Sequence, residues 1–452
     1  MKPSAGGAGR PMSPPRPQGQ GAHHAPLSHE MSVAAHALAG MRAGRSLPAA
    51  LDAAVAQAGP ALPEPSRAAA QHLAYTAARQ LGTTGFLLSR LAPRAPAAPV
   101  AALALVALSQ LLEARRHDAV VVDEAVSAAR ADPATATAAG FLNAVLRRFG
   151  RERAALLAAA ERDEPARYNH PQWWIDLVRQ DHPDHWQAIL ALAAEPPPMT
   201  LRVNRRKGSR DDYLARLVAA GQAGEPLGDD GIALSQPCDV RRLPGFADGA
   251  VSVQDFGAQL AAPWLDVHDG HRVLDACSAP GGKTAHLLER AALDLLGLDI
   301  DARRLARVAD NLGRLGLAGP GARLLAADAG RPESWWDGRP FDRILLDAPC
   351  TASGIVRRHP DARWLRRRGD VATLAAAQRA LLEALWPLLA PGGKMLYVTC
   401  SVFSQENAGT VNGFVASQGD CRIAAGPMQL LPSDAPGARH DGFYYALLDK
   451  TS

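Results

Sequence analysis

The chain has few cysteines, few lysines and no long apolar run, and these scarcities exclude several classes of protein. Its five cysteines are an odd number and form no Cys-x-x-Cys pair, which argues against a disulfide framework or a structural zinc site. The most apolar stretch, Val100 to Leu108, is far too short to span a bilayer, and the N-terminus lacks the apolar core of a signal peptide. We therefore expect a soluble, cytoplasmic protein with no metal and no membrane partner.

The composition is otherwise that of a globular protein of more than one domain. Of its 452 residues, 47% are hydrophobic and 21% are charged, and a chain of this length has two or three domains on average. The net charge is only +4, so a site for a polyanion must be a local patch. Lysine is rare while arginine is abundant, which draws attention to a lysine inside a motif; lysine occurs only at positions 2, 207, 283, 394 and 450.

Changes in composition and periodicity along the sequence predict a multidomain chain. Residues 1–28 are aperiodic and rich in Gly, Pro and Ala, which predicts a disordered tail. Residues 29–165 have the helical periodicity of an all-α domain, and residues 166–245 combine short strands with a helix, as in a small α+β linking module. In residues 246–452 strands alternate with helices, which predicts an α/β, Rossmann-like domain with a mostly parallel sheet.

A glycine-containing turn follows the first strand of the predicted α/β domain. The buried strand Val273–Ala276 leads into the segment Cys277–Thr284 and then a helix. Gly281 and Gly282 let backbone amides approach a ligand at the start of that helix. An ATPase is the rival interpretation, but a triphosphate-binding loop needs glycine where Cys277 stands. The turn therefore favours a ligand that has no triphosphate.

Two acids follow the next two predicted strands. Asp299 ends the strand Leu295–Asp299, 17 residues after Gly282, close to the spacing of about 20 residues at which a carboxylate reaches ribose hydroxyls. Asp328 follows the strand Arg323–Ala327, where it can meet an adenine amino group. The alternative is that both acids only cap helices. Together with the glycine turn, the acids predict an adenosine-containing cofactor, and S-adenosylmethionine fits well.

Two cysteines each lie just past a predicted strand. Cys350 ends Asp347-Ala348-Pro349-Cys350, and Cys400 lies in Thr399-Cys400-Ser401. Since ligands bind at the carboxyl ends of parallel strands, both thiols can approach one substrate. One thiolate, its pKa lowered by a cation such as Lys283, would add to carbon 6 of a cytosine and activate carbon 5. The alternative is that each cysteine is a small buried residue, and the residues alone do not say which thiol attacks.

A basic segment lies between these cysteines. Residues 357–368 contain six arginines and a tryptophan, which suit phosphate contacts and base stacking on RNA. A solvated surface is the alternative. The target base would have to be unpaired or flipped out. The candidate RNA contacts are Arg357, Arg358, His359, Arg363 and Trp364.

Several segments together resemble the Sun/Fmu family of RNA cytosine-5 methyltransferases. The helical part, through Asp118–Val126 and Gly140–Arg151, is similar to the NusB-type RNA-binding domain. This pairing is similar to the subgroup that acts on bacterial small-subunit ribosomal RNA. The segments of the α/β domain that carry the resemblance are Cys277–Thr284, Asp347–Cys350, Arg357–Trp364, Thr399–Ser401 and Asp441–Lys450.

The resemblance implies a fold, a reaction and a set of site residues. It implies a class I methyltransferase domain in which Cys400 is the nucleophile and Cys350 assists release. Asp347 and Lys283 complete the catalytic set, and Asp347 also meets the cofactor and the cytosine edge. Ser278 stands where the family commonly has alanine, which a small hydroxyl should not disturb. The implied S-adenosylmethionine site comprises Cys277, Ser278, Ala279, Pro280, Gly281, Gly282, Lys283, Asp299, Asp328 and Asp347.

The expected partner is small-subunit ribosomal RNA, which we expect the helical domain and the linking module to help bind. We expect the protein to be a monomer. The alternative from another class is an RNA-binding antitermination or ribosome-assembly factor with a vestigial catalytic domain. The presence of every expected catalytic group argues against that alternative.

Overall fold

The computed structural model describes residues 25–59 and 62–451. Most of the predicted tail, residues 1–24, lies outside the described residues. The first helix begins at Leu27, two residues before the predicted start of the helical domain. The described chain forms a helical domain, a small antiparallel sheet and a larger, mostly parallel sheet, in that order.

The N-terminal domain is a bundle of helices packed around one long core helix. Helix α5 is buried from Val100 to Leu111, so the most apolar run of the sequence is the centre of the bundle. No helix in the described ranges is long and apolar enough to cross a membrane. The helices are α1 (Leu27–Arg42), α2 (Leu47–Ala58), α3 (Glu64–Arg79), α4 (Leu81–Leu91), α5 (Ala98–Glu113), α6 (Asp118–Ala131) and α7 (Ala139–Ala160).

The linking module is an antiparallel sheet with the strand order β2-β3-β1-β4. Strand β4 lies beyond the predicted boundary at residue 245, but Val251 pairs with Val203, so the sheet of the module extends past that boundary. The segment comprises α8 (Glu164–Tyr168), α9 (Gln172–Asp181), α10 (Trp186–Leu192), β1 (Thr200–Val203), α11 (Arg210–Ala219), β2 (Gly224–Leu227), β3 (Gly231–Leu234) and β4 (Val251–Val253).

The C-terminal domain alternates strands and helices over most of its length, but among the described residues no α-helix separates β7 from β8 and the domain ends in four consecutive strands. Its first half comprises α12 (Phe256–Gln259), α13 (Ala261–Leu265), β5 (Arg272–Asp275), α14 (Gly282–Arg290), β6 (Asp294–Asp299), α15 (Ala302–Leu315), β7 (Ala322–Ala326) and β8 (Phe341–Asp347). Its second half comprises α16 (Ala362–Leu365), α17 (Arg368–Leu385), β9 (Leu389–Thr399), α18 (Thr410–Ser417), β10 (Cys421–Leu430), β11 (Ser433–Ala435), β12 (Ala438–His440) and β13 (Phe443–Lys450).

The large sheet has the strand order β10-β13-β9-β8-β5-β6-β7. Strands β5 to β9 run parallel to one another, whereas β13 pairs antiparallel with both β9 and β10. The prediction of a mostly parallel, Rossmann-like sheet is therefore confirmed. The strand order reverses direction between β5 and β8, and open sheets of this kind bind ligands at the carboxyl ends of the strands beside such a reversal.

The basic segment before α17 joins the helical domain to the large sheet. The Asp361 carboxylate accepts a hydrogen bond from the Leu47 amide at 2.9 Å. The Trp364 indole donates to the Ala78 carbonyl at 2.9 Å and packs against the core of the helical bundle. The helical domain is therefore held next to the loop that carries Cys350.

Candidate active site

The turn after β5 requires a glycine at one position. Gly281 has a φ of +95°, and a Cβ added there would lie 2.9 Å from the Val308 side chain. Both the left-handed backbone and the close approach therefore exclude larger residues. The Gly281 amide donates to the Ser278 carbonyl at 2.7 Å, which closes the turn immediately before α14 begins.

A cavity of about 350 Å³ opens at the carboxyl ends of β5, β6 and β8. It brings together residues that the sequence analysis had selected from distant segments: Cys277, Ala279, Asp299, Asp328, Asp347, Cys350 and Cys400. Parallel strands end at one edge of the sheet, which explains why these segments meet.

Other residues of the predicted cofactor turn have a supporting place. Ser278 is buried, and its hydroxyl lies close to Gly297. A Cβ added at Gly297 would lie 3.4 Å from the hydroxyl oxygen of Ser278. Pro280, Gly281 and Gly282 form the turn and the start of α14 and do not line the cavity. Direct contact between these residues and the cofactor stays a prediction.

The two cysteine sulfurs lie 3.3 Å apart at the end of the cavity. Cys350 is buried, whereas Cys400 is half-buried. The hydrogen bond with Cys400 and then burial raise the pKa of Cys350 well above its usual range, so Cys350 is a protonated thiol at neutral pH. The two thiols are therefore chemically unequal.

Lys283 does not itself line the cavity, but it is paired with a carboxylate that does. The Lys283 ammonium lies 2.6 Å from Asp347 Oδ2. Burial lowers the Lys283 pKa, but the charge and hydrogen bond of Asp347, and then Cys400, outweigh it, so the pKa is raised overall. Lys283 thus remains an ammonium at neutral pH and interacts electrostatically with Cys400.

Two neighbouring groups at the end of β5 have raised pKa values. Burial raises the pKa of Asp275 to about 7, although Thr284 donates a hydrogen bond to its carboxylate. Burial, then the Asp347 carboxylate, raises the pKa of Cys277 far above its usual range. A thiol held in this state is a poor nucleophile, so Cys277 contributes shape to the cavity.

Several residues that sequence analysis did not select also line the cavity, among them Ile300, Arg304 and Leu381. Ile300 directly follows Asp299 and has 74% of its surface exposed; its place after the strand-ending acid was a signal. Arg304 donates to Asp299 at 3.4 Å and holds that carboxylate in place. Leu381 reaches the cavity from α17, 82 residues beyond Asp299 in the chain, and no local pattern predicted this contact.

Two of the five predicted RNA contacts are internal. Arg357 is 1% exposed and forms ion pairs with Asp434, at 2.8 Å, and with Asp441. Arg363 is fully buried and donates to the carbonyl oxygens of Ala193 and Asn169. The prediction that these two arginines contact RNA is wrong, because their guanidinium groups are used inside the protein and cannot reach a phosphate.

The remaining residues of the basic segment divide into two groups. Arg358 is largely buried, pairs with Asp255 at 2.7 Å and also with Asp441, and the Trp364 indole is engaged by the helical domain. These two side chains are therefore structural as well, because each already has a partner within the protein. By contrast, the exposed side chains of this segment are those of His359, Arg367 and Arg368.

The described part of the chain contains no group of three His, Cys, Asp or Glu side chains that could hold a metal. The Thr284 hydroxyl, which would ligate magnesium in a triphosphate-binding loop, is buried and donates to Asp275 at 2.6 Å. Lys283 is likewise occupied by Asp347. This geometry does not favour the ATPase interpretation.

The sheet order, the glycine turn and the acids at the strand ends define a Rossmann-like methyltransferase domain. The chain belongs to the 16S rRNA methyltransferase RsmB/F family. The model of that family matches residues 262–449, that of its ferredoxin-like domain matches residues 170–241, and that of the NusB family matches residues 30–151. The predicted helical domain, linking module and catalytic domain are thus confirmed as fold classes.

Individual relatives agree with the family. The chain is 50% identical over 327 residues to a ribosomal RNA small subunit methyltransferase B from Pseudomonas putida, covering 69% of this chain and 74% of the relative. It is 46% identical to the protein of that name from Vibrio cholerae, covering 69% and 72%. The crystal structure of PH0851 has a TM-score of 0.76 at 22% identity, covering 94% of this chain and 99% of that one, and shares the fold.

Proposed function

We propose that this protein transfers a methyl group from S-adenosylmethionine to carbon 5 of a cytosine in small-subunit (16S) rRNA, through a covalent bond between Cys400 and carbon 6. The single observation that carries the proposal is the pair of thiols 3.3 Å apart, beside a lysine ammonium, at the edge of one cavity. The names of the relatives from Pseudomonas putida and Vibrio cholerae point to small-subunit rRNA as the substrate.

The cavity fits S-adenosylmethionine by size and by chemistry. Its volume of about 350 Å³ lies within the range of ligand pockets. Asp299 is positioned for the ribose hydroxyls and Asp328 for the adenine amino group, while Ile300 and Leu381 offer apolar contacts to the adenine ring. When bound, the cofactor supplies an electrophilic methyl group next to the thiols.

The unequal environments of the two thiols support different roles. Cys400 is the more exposed of the two cysteines and interacts with the Lys283 ammonium, which supports Cys400 as the nucleophile that adds to carbon 6. The new bond makes carbon 5 a nucleophile towards the methyl group. A base then takes the proton on carbon 5, and the electron pair of that carbon–hydrogen bond restores the ring double bond as the bond between sulfur and carbon 6 breaks and Cys400 leaves as a thiolate. Cys350 keeps its own proton beside Cys400 and assists this release.

Asp347 and Lys283 serve the substrate and the cofactor together. Asp347 lines the cavity that both thiols also line, and its ion pair with Lys283 fixes the direction of its carboxylate. We propose that this carboxylate accepts a hydrogen bond from the cytosine amino group. Only an unpaired or extruded base can reach it.

The RNA contact is assigned here to the exposed end of the basic segment. Arg366 donates to the carbonyl oxygens of Cys350 and Thr351, at 3.2 and 3.4 Å. The two following side chains, Arg367 and Arg368, are exposed and have no acidic partner among residues 25–59 and 62–451. We propose that they bind phosphates beside the target base, together with the exposed His359 and the two N-terminal domains.

We expect the protein to act as a monomer in the cytoplasm.

The test uses radiolabelled S-adenosylmethionine, an unmodified 16S rRNA transcript and chromatography of the nucleosides. We expect label in 5-methylcytidine, and none with Cys400→Ala. Label in another nucleoside would refute the two-thiol mechanism. Absence of label together with absence of cofactor binding would favour the assembly-factor alternative.

A further inference from the structure

A short π-helical turn after β9 carries two buried polar residues that the proposed mechanism does not use. The turn spans Gln405–Gly409, and π turns frequently occur at functional sites. Glu406 is 0% exposed and Asn407 is 1% exposed. Buried polar groups are costly unless they are hydrogen-bonded, so their partners indicate what they hold in place.

Glu406 bridges the residues that directly follow the two cysteines. Its carboxylate accepts hydrogen bonds from the Thr351 amide at 2.8 Å and from the Thr351 hydroxyl at 2.5 Å. The Ser401 hydroxyl also donates a hydrogen bond to this carboxylate, at 2.6 Å. Since Thr351 follows Cys350 and Ser401 follows Cys400, a single carboxylate joins both cysteine-bearing turns.

Neighbouring side chains extend this bridge to the residues that precede the cysteines. Gln378 donates to Glu406 at 3.2 Å and to the Pro349 carbonyl at 2.9 Å. Asn407 accepts from the Thr399 hydroxyl at 2.5 Å and donates to the Ser401 carbonyl at 2.9 Å. Each cysteine is thus held on both sides by the same network.

We propose that Glu406 is a positioning residue that sets the separation of the Cys350 and Cys400 sulfurs, with Asn407 fixing the Cys400 turn. The mechanistic importance of that separation rests on the function proposed above. Glu406 itself does not line the cavity and touches neither sulfur, so it acts through Thr351 and Ser401. Its carboxylate accepts hydrogen bonds from four donors, which an apolar side chain at this position could not do.

The first experiment measures the sulfur separation without cofactor or RNA. Diamide oxidises the two thiols to a disulfide: each sulfur loses a proton and an electron, and diamide is reduced to the hydrazine. The peptide that joins Cys350 to Cys400 is quantified by mass spectrometry over time. We expect Glu406→Ala to form this disulfide about 10-fold more slowly than the unmodified protein, because the thiols are no longer held together.

The direction of this change separates positioning from electrostatics. The Glu406 charge contributes to raising the pKa of Cys350, so its loss alone would favour the thiolate and accelerate oxidation. Slower disulfide formation would therefore reflect changed positions of the two sulfurs and not the lost charge. The matched control is Glu383→Ala, an exposed glutamate on α17, for which we expect no change. A rate for Glu406→Ala at or above that of the unmodified protein would overturn the proposal, as would an equal loss in the control.

Two milder variants keep the test valid if the alanine variant folds poorly. Glu406→Gln retains one acceptor and faces hydroxyls that can rotate to accept, so its rate should lie between those of Glu406→Ala and the unmodified protein. Thr351→Val removes one hydroxyl but keeps the amide donor, so we expect a smaller loss. Rates for both variants equal to that of the unmodified protein would contradict the proposal.

The second experiment divides the effect between turnover and binding. With 16S rRNA and S-adenosylmethionine, we expect Glu406→Ala to lower kcat about 100-fold, as for a small misplacement of reacting groups. The KM for S-adenosylmethionine should be unchanged, because Glu406 is outside the cavity. A raised KM with unchanged kcat would overturn the proposed role. If neither the unmodified protein nor any variant methylated RNA, the proposed function would be refuted. The disulfide measurement would still test the role of Glu406.

Discussion

The Lys283 ammonium lies 2.6 Å from the Asp347 carboxylate and joins the start of α14 to the end of β8. Those elements flank the point at which the strand order reverses between β5 and β8. The pair therefore lies between the glycine turn and the edge of the sheet that carries both thiols. Because the Lys283 pKa is raised by Asp347 and Cys400 despite burial, the positive charge persists across the neutral pH range.

Loss of this charge should slow the reaction itself. We expect Lys283→Ala to lower the rate of methyl transfer at saturating S-adenosylmethionine about 100-fold, because an ammonium beside a developing thiolate is lost. The matched control is Lys394→Ala, which removes a lysine paired with Asp266 on the surface. Initial rates at several cofactor concentrations check this, and an unchanged saturating rate would exclude the proposed role of Lys283.

The two thiols should give opposite results on a denaturing gel. With RNA and cofactor, we expect Cys350→Ala to accumulate a covalent RNA–protein species, because Cys400 can attack but its release is impaired. Cys400→Ala should form none, since the attacking sulfur is missing. Cys421→Ala, remote from the cavity on β10, serves as the control. Accumulation with Cys400→Ala instead would reverse the assigned roles.

The exposed arginines should affect RNA binding in proportion to the phosphates they contact. We expect Arg367→Ala and Arg368→Ala each to reduce the slope of log affinity against log salt by about 1. Arg303→Ala is the control, because Arg303 is 95% exposed on α15. Filter binding with 16S rRNA at several salt concentrations measures the slopes. Slopes identical to that of the control would show that this end of the segment does not meet RNA.

The buried arginine of the same segment should affect stability. Arg357→Ala leaves the buried Asp441 carboxylate with fewer positive partners, and breaking a buried ion pair costs about 3–5 kcal/mol. We expect a lower thermal unfolding midpoint than for the unmodified protein or Arg368→Ala. An unchanged midpoint would mean that the ion pairs of Arg357 contribute little to stability.

Asp275 should make stability depend on pH. Its pKa is about 7 in the folded protein because of burial, against about 3.9 in an unfolded chain. Between these values the unfolded chain has released the proton that the folded protein still holds, so this group lowers stability as pH rises from about 4 to about 7. Asp275→Asn cannot ionise and should lose that part of the slope. Unfolding midpoints measured across this range would contradict the assignment if the two curves were parallel.

The sequence by itself determined the order of the domains and most of the cavity. The strand predicted over Leu295–Asp299 lies within the observed strand β6, and Asp299 and Asp328 were selected because each lies at the end of a predicted strand, whereas Asp347 was selected by the family resemblance. Strands of a parallel sheet end at one edge, so local patterns sufficed to bring these acids and both cysteines together. The chemical roles of these residues remain predictions.

Only the tertiary structure decided which polar side chains face inwards. Arg357 and Arg368 look alike in the sequence, yet one is buried against Asp441 and the other is exposed. Glu406 meets Thr351 across 55 residues of chain. Whether a charge is solvated or buried depends on partners that the fold supplies from remote segments, and no local periodicity encodes those partners.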